Sequence, residues 1–105
     1  MPFRSPVDDV EIPNLSVFDY LFGSLAAEDA GRIALVDGAS GAETSYGALV
    51  AQIQGVAGAL AARGINPGDV VALHSPNVPA FAAAFHGILR SGAAATTVTA
   101  LYTAG

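Results

Sequence analysis

The sequence predicts an α/β fold with a small β-hairpin, three helices and a parallel strand–helix–strand unit, and three patterns predict it. Residues 69–105 hold two apolar, strand-like runs separated by one apolar helical run. Residues 45–63 carry a single apolar stripe at helical spacing. Residues 33–46 contain two short runs around a glycine-containing loop, which is typical of a hairpin. Apolar strands joined by a helix usually run parallel in one sheet.

The N-terminal segment, residues 1–15, predicts an extended arm, because three prolines and an acidic cluster at 8–11 disfavour a helix. Ser16 then fits the N-cap of a first helix, with Asp19 three residues later. The apolar residues that recur at helical spacing are Phe18, Leu21, Phe22 and Leu25. We expect this helix to end near residues 27–28.

The middle of the chain predicts a hairpin followed by the longest helix. Residues 33–36 and 43–46 are the expected strands, and the helix over 45–63 is capped by Thr44 or Ser45. Its apolar stripe consists of Leu49, Ile53, Val56 and Leu60. Small residues beside the stripe predict close approach of a neighbouring element, namely Ala48, Ala51, Gly55 and Gly58. Gly64 fits the left-handed residue that ends such a helix.

The last third predicts a strand at 70–74, a helix and a second strand at 94–100. The run of apolar residues in the first strand predicts burial on both faces, as in parallel sheets. Asn77 fits the N-cap of the helix, with Pro79 in its first turn and Gly92 after its end. The apolar face of this helix consists of Phe81, Phe85, Ile88 and Leu89.

Composition excludes several classes of function. The 105 residues suit one small domain. A net charge of −5, with four arginines and no lysine, argues against a nucleic-acid partner and excludes a Schiff-base lysine. The absence of cysteine excludes thiolate chemistry and zinc–sulfur sites. The longest apolar stretch, 78–89, is too short for a membrane span, which takes about 20 residues. We therefore expect a cytoplasmic protein.

Candidate chemistry is sparse, and we predict no catalytic, cofactor-binding or metal-ligating residue in this chain. His74 lies at the carboxyl end of a predicted strand, where sites of α/β proteins cluster, but a hydrated strand-end histidine is the simpler interpretation. His86 is interpreted as a side chain on a helix flank. Ser75 beside His74 would point to the opposite face of its strand, so the two would not pair. No glycine-rich phosphate-binding motif is present.

Segment by segment, the chain resembles the N-terminus of adenylate-forming enzymes, the superfamily of acyl-CoA synthetases and luciferases. Residues 34–37 resemble the family's first strand, and residues 44–49 resemble the start of a helix in the family. Residues 60–73 resemble the stretch that joins the family's first long helix to the next strand. The later matches are Pro-Asn at 76–77, Ser-Gly-Ala at 91–93 and Tyr-Thr at 102–103. The arm, with Phe-Arg-Ser at 3–5 and Ile-Pro at 12–13, is most similar to that of 4-coumarate–CoA ligases.

The resemblance implies an N-terminal fragment of an ATP-dependent carboxylic acid–CoA ligase. Residues 1–15 would form the arm, and residues 16–105 the first part of the AMP-binding large domain. ATP, Mg²⁺ and coenzyme A are implied for the full-length enzyme, with none bound by this chain. The family's phosphate loop, ribose-binding aspartate and catalytic lysine lie downstream of the matched region. We therefore expect this single partial domain to be structural and inactive alone, with the remainder of the polypeptide as its partner.

Two alternatives stay open at the level of sequence. A low charged fraction of 12% and the exposed strand edges of a cut sheet would suit a stand-alone α/β module that self-associates without catalysis. A free-standing nucleotide-binding protein is the other, although no phosphate loop supports it.

Overall fold

The computed structural model describes residues 6–9 and 12–98, and it confirms the predicted α/β fold. The described elements, in chain order, are α1 (Val17–Phe22), β1 (Ile33–Val36), β2 (Glu43–Ser45), α2 (Tyr46–Ala62), β3 (Val70–His74), α3 (Pro79–Arg90) and β4 (Ala94–Val98). Strands β1 and β2 form an antiparallel pair, and β3 and β4 form a parallel pair. The predicted hairpin, three helices and strand–helix–strand unit are therefore present.

Helix α1 begins as predicted but ends early. The Ser16 hydroxyl accepts a hydrogen bond from the Asp19 N–H at 3.1 Å, which caps the first turn. The helix stops at Phe22, with Gly23 as its C-cap, so the expected end near residues 27–28 is wrong. Glycine and serine at positions 23 and 24 favour helix less than the residues before them. The chain continues in turns, including one closed by the Asp29 N–H on the Ala26 carbonyl at 3.0 Å.

The β1–β2 hairpin is organised by Asp37 at the start of its loop. The Asp37 N–H donates to the Ala42 carbonyl at 2.8 Å. Its carboxylate accepts from the Ala39 N–H and from the Ser40 hydroxyl, each at 3.0 Å. These two donors, the backbone one first, stabilise the ionised form and lower the pKa of Asp37 below its ordinary value.

Helix α2 has the start and the end that the sequence predicts. The Ser45 hydroxyl accepts from the Ala48 N–H at 3.1 Å. At the other end, Gly64 has φ +87° and donates to the Ala61 carbonyl at 3.1 Å, while Ile65 donates to the Leu60 carbonyl at 3.1 Å. This pair of bonds is the Schellman motif, which satisfies the last carbonyls of a helix.

The core lies where α3 packs on α2 and α1. Its buried residues are Phe18, Leu49, Ile53 and Ala83, and Ile53 is completely buried. The close approach occurs at Gly87 of α3, where an added Cβ would lie 2.5 Å from Cβ of Val56. The sequence predicted a close approach beside the α2 stripe at Ala48, Ala51, Gly55 and Gly58; for the two glycines this is wrong, because nothing lies within 4 Å of a Cβ built at either. A glycine on an exposed helix face and one on a packed face look alike in sequence.

The β3–β4 pair is parallel, with Val70 opposite Ala94 and His74 opposite Val98. Burial alternates along β3, so the predicted burial on both faces is wrong for this chain. Val71 and Leu73 are half-buried, whereas Val70 is 66% exposed. The described elements cover only one face of this sheet. Residues 99–105, with the rest of the second predicted strand and the Tyr-Thr pair, lie outside the described residues.

Helix α3 has its N-cap one residue later than predicted. Val78, and not Asn77, is the cap, and its side chain makes no capping hydrogen bond. Val78 is extended, with φ −123° and ψ 163°, and Pro79 follows at the first helical position. A residue before proline is restricted to this extended region, so the proline fixes the boundary. Within the described part of the chain, the helices are too short or too polar to cross a membrane.

Replacement of Gly87 by alanine is expected to destabilise the fold by about 1–3 kcal/mol, because the new methyl group would overlap Val56 and lie 3.2 Å from the Ile53 carbonyl oxygen. The matched control is Gly55→Ala on α2, where the space is open and the helix gains up to about 1 kcal/mol from alanine. Urea denaturation of the two variants measures both effects. Equal stability of the two would contradict the predicted α2–α3 contact.

Asp37 should titrate below ordinary aspartates such as those of an unfolded chain. Because its folded pKa is lowered, its contribution to stability is present above the unfolded value and is lost as the pH falls below about 4. An NMR titration of the Asp37 carboxyl carbon measures this directly. Ser40→Ala removes the hydroxyl donor but leaves the backbone donors, and it should move the pKa of Asp37 part of the way back up. An unchanged titration curve in that variant would exclude the hydroxyl as a cause.

Candidate functional site

The carboxyl end of β3 carries the residues that the sequence singled out. His74 is exposed at the last position of the strand. Ser75 follows it and is half-buried, and its hydroxyl donates to the Pro76 carbonyl at 2.9 Å. The serine is therefore engaged locally and is not hydrogen-bonded to His74. The structure brings no nucleophile–base pair together at this point in the described chain.

A small depression lies beside this strand end, between the hairpin loop and the start of α3. Its volume is about 220 Å³. It is lined by Leu35, Val36, Asp37, Gly38, Asn77, Val78, Pro79, Phe81 and Ala82. The polar side chains on its wall are the Asp37 carboxylate, which is bonded to its own loop, and the Asn77 amide. Pockets for small organic ligands usually measure about 300–1,000 Å³, so this one is suited to water or a small polar group.

His86 is more enclosed than a helix-flank residue. Its ring meets Phe22 of α1 edge to face, with centroids 5.6 Å apart, and Phe85 of its own helix at 5.5 Å. Its Nδ1 atom is buried and has no hydrogen-bond partner among the described residues. This environment makes His86 part of the contact between α1 and α3. The sequence could not show it, because the partner Phe22 is distant along the chain.

Two further carboxylates of the described residues act in local structure. Asp69 accepts from the Asn66 N–H at 2.7 Å and closes the turn before β3. Asp29 pairs with Arg32 at 3.1 Å on the surface. No group of three or more His, Cys, Asp or Glu side chains is arranged for a metal within the described ranges. These side chains therefore stabilise turns and packing contacts. That this chain holds no catalytic, cofactor-binding or metal-ligating residue stays a prediction.

Comparison with known proteins places this scaffold in a family. The model of the AMP-binding enzyme family matches residues 23–105, which is most of the chain. The match includes both strand pairs and helices α2 and α3, and it begins at the residue that caps α1.

Plant ligases resemble the chain over nearly all of its length. It is 35% identical to 4-coumarate–CoA ligase 4 of Arabidopsis thaliana and 40% identical to 4-coumarate–CoA ligase 5 of Oryza sativa subsp. japonica. Each alignment covers 96% of this chain but only 18% and 19% of the respective relative. The chain therefore spans about a fifth of the length of these proteins.

Solved structures agree with the sequence comparison. MatB from Rhodopseudomonas palustris, determined with ATP bound, superposes with a TM-score of 0.74 at 31% identity, over 84% of this chain and 17% of MatB. The resemblance to adenylate-forming enzymes that the sequence indicated is thus confirmed. With a family match that extends over both sheets and the two packed helices, this chain belongs to the AMP-binding enzyme family.

Proposed function

We propose that this chain is the N-terminal portion of an ATP-dependent carboxylic acid–CoA ligase of the 4-coumarate–CoA ligase type. The observation that carries the proposal is the identity of 35–40% to two such plant ligases over 96% of the chain. Because the family model alone does not include α1 or the arm, the alignment of those residues with the ligases adds support for this branch.

The proposed reaction has two steps in the full-length enzyme. The substrate carboxylate attacks the α-phosphorus of ATP and displaces pyrophosphate, which leaves an acyl-adenylate. The thiol of coenzyme A then attacks the acyl carbonyl and displaces AMP. The structural relative determined with ATP bound supports the use of ATP, and Mg²⁺ would neutralise the phosphates. The names of the sequence relatives support a 4-coumarate-like, aromatic acid as substrate.

The proposed role of residues 1–105 is to build part of the scaffold of the large domain. The hydrogen-bonding side chains described above cap helices, close turns or hold the hairpin loop. His86 packs between aromatic rings, and Ser75 is bonded to a neighbouring carbonyl. These assignments support a division in which residues beyond this chain perform the adenylation. The cytoplasmic location expected from the sequence stays a prediction.

The full-length polypeptide, incubated with ATP, Mg²⁺, coenzyme A and 4-coumarate, should release pyrophosphate and form a CoA thioester. Coupled pyrophosphate detection and mass spectrometry of the thioester measure the two steps separately. Omission of coenzyme A should abolish the thioester while the acyl-adenylate still forms. A panel that includes aliphatic acids tests the substrate class. Failure of every acid to cause pyrophosphate release would overturn the proposed function.

The 105-residue chain alone should form no acyl-adenylate with the same reagents, because its sequence has no glycine-rich phosphate-binding motif and the resemblance implies that the family's ATP-binding motifs lie downstream. The control is the full-length polypeptide at the same molar concentration. Adenylate formation by the short chain above the background without protein would show that the separation of scaffold from chemistry is wrong.

A further inference from the structure

The contact between α1 and α3 contains a histidine that the proposed function does not use. His86 is half-buried, and its ring centroid lies 5.6 Å from that of Phe22 on α1 and 5.5 Å from that of Phe85 on α3. Its Nδ1 atom is buried and has no hydrogen-bond partner among the described residues. Buried polar atoms are nearly always paired, so the protonation state of this ring bears directly on the contact.

The two protonation states of the imidazole ring differ in what they require at Nδ1. The neutral ring can carry its hydrogen on Nε2 and leave Nδ1 as a bare acceptor, whereas the protonated ring carries a hydrogen on both nitrogens. In this contact the second hydrogen would make Nδ1 a charged donor with no acceptor among the described residues. A buried charged donor without a partner costs more than a buried neutral acceptor. Protonation of His86 therefore disfavours the packed arrangement.

A positive charge already lies on the same group of aromatic rings. Arg90 follows His86 by one turn of α3, and its guanidinium carbon is 4.3 Å from the ring centre of Phe18. The Phe18 ring in turn lies 5.5 Å from that of Phe22. Like charges four residues apart on a helix repel. Aromatic faces attract cations, yet Arg90 already holds one face of this group, so an imidazolium at position 86 adds a second charge beside the first.

The elements packed against α3 supply no counter-ion for such a charge. Their ionisable groups are Asp19 and Tyr20 on α1, Tyr46 on α2 and His74 on β3, and β4 carries none over its described residues. Asp19 and His74 are exposed, and no carboxylate in the described part of the chain forms an ion pair with His86. The added proton would therefore be without a compensating charge.

Helix α1 is the element that responds. It has six residues, and a helix this short is not stable in water without packing. Its described packing is mainly against α3, through the rings of Phe18 and Phe22. Local opening occurs first in elements with few buried contacts. A weaker contact at His86 would therefore free α1 while the packing of α2 on α3 stays intact.

We propose that His86 is a pH-sensitive latch between α1 and α3: the neutral ring holds α1 in place, and protonation of the ring releases it. The released state binds the proton more readily than the packed state, so the stability of the contact rises with pH. Imidazole gains its proton near pH 6.5 in ordinary surroundings, so the latch holds above about pH 7 and weakens below about pH 6. The proposal does not depend on the proposed function, because it concerns a contact within the described residues.

Hydrogen–deuterium exchange of the full-length polypeptide, without ligands, tests the proposal. The N–H groups of Tyr20 and Gly23 report on α1, since each donates to the carbonyl four residues earlier at 2.9 Å. Exchange is followed by peptide mass spectrometry at about pH 5.5 and about pH 7.5, on either side of the ordinary imidazole titration. Protection factors remove the pH dependence of chemical exchange itself. We expect protection of α1 to be about tenfold lower at the acidic pH, with the amides around Ile53 on α2 little changed.

Two variants identify the histidine as the cause. His86→Phe keeps an aromatic ring that cannot be protonated, and His86→Leu supplies a smaller apolar side chain in case phenylalanine does not fit. The matched control is His74→Gln, which removes the exposed histidine at the end of β3. Either His86 variant should protect α1 equally at both pH values, whereas His74→Gln should keep the wild-type response.

Equal protection of α1 at both pH values in the wild-type protein would overturn the proposal. Protection that rises in acid would also overturn it, because the rings would then stabilise the imidazolium. An acid response that persists in both His86 variants would assign the effect to another group and reject the latch. The ligase assay is independent: a pH-dependent α1 in a polypeptide that releases no pyrophosphate would retain the latch and reject the proposed function.

Discussion

The fold depends on the close contact between α2 and α3 at Gly87. With no side chain there, Val56 approaches the backbone of α3, and Ile53 becomes completely buried beside it. Strand β3 precedes α3 along the chain and β4 follows it. Helix α1 packs on α3 through the contact between Phe18 and Arg90. The hairpin continues directly into α2, and the Gly47 N–H of that helix donates to the carbonyl of Ala30, in the turn before β1, at 2.9 Å. Each unit is thus positioned by the helix pair, so a side chain at Gly87 would displace more than one contact.

The features that the sequence predicted well are those decided within a few residues. Ser45 caps α2 with an N–H three residues away, and Gly64 ends it with bonds that span four to six residues. Gly68, with φ +92°, follows Pro67 in the turn before β3, where a type II turn requires glycine. Local hydrogen bonds and backbone restrictions are encoded by adjacent residue types, which is why the bounds of α2 and β3 followed from them.

The features that it missed depend on contacts between distant segments. Gly55 and Gly87 both interrupt apolar helices, and only the packing of α2 on α3 separates an exposed glycine from an essential one. The apolar run at 70–74 indicates a strand that is buried on both sides, yet Val70 is exposed because the described chain supplies one covering layer. The site predictions share this limit in part: the sequence correctly predicts that His74 and Ser75 do not pair, whereas the packing of His86 against Phe22 of α1 depends on a contact between distant segments.

The few cations of this chain bear on where the chemistry of the proposed ligase resides. ATP carries its charge on three phosphates, and their binding calls for cations or a cradle of backbone N–H groups. Among the three described arginines, Arg32 pairs with Asp29, Arg90 covers Phe18, and Arg63 is the C-cap residue of α2. Arg32 and Arg90 therefore act in structure, and lysine is absent from the sequence. If the full-length protein binds ATP as proposed, the two arginines that stabilise this scaffold are not available for its phosphates, so other donors have to supply those contacts.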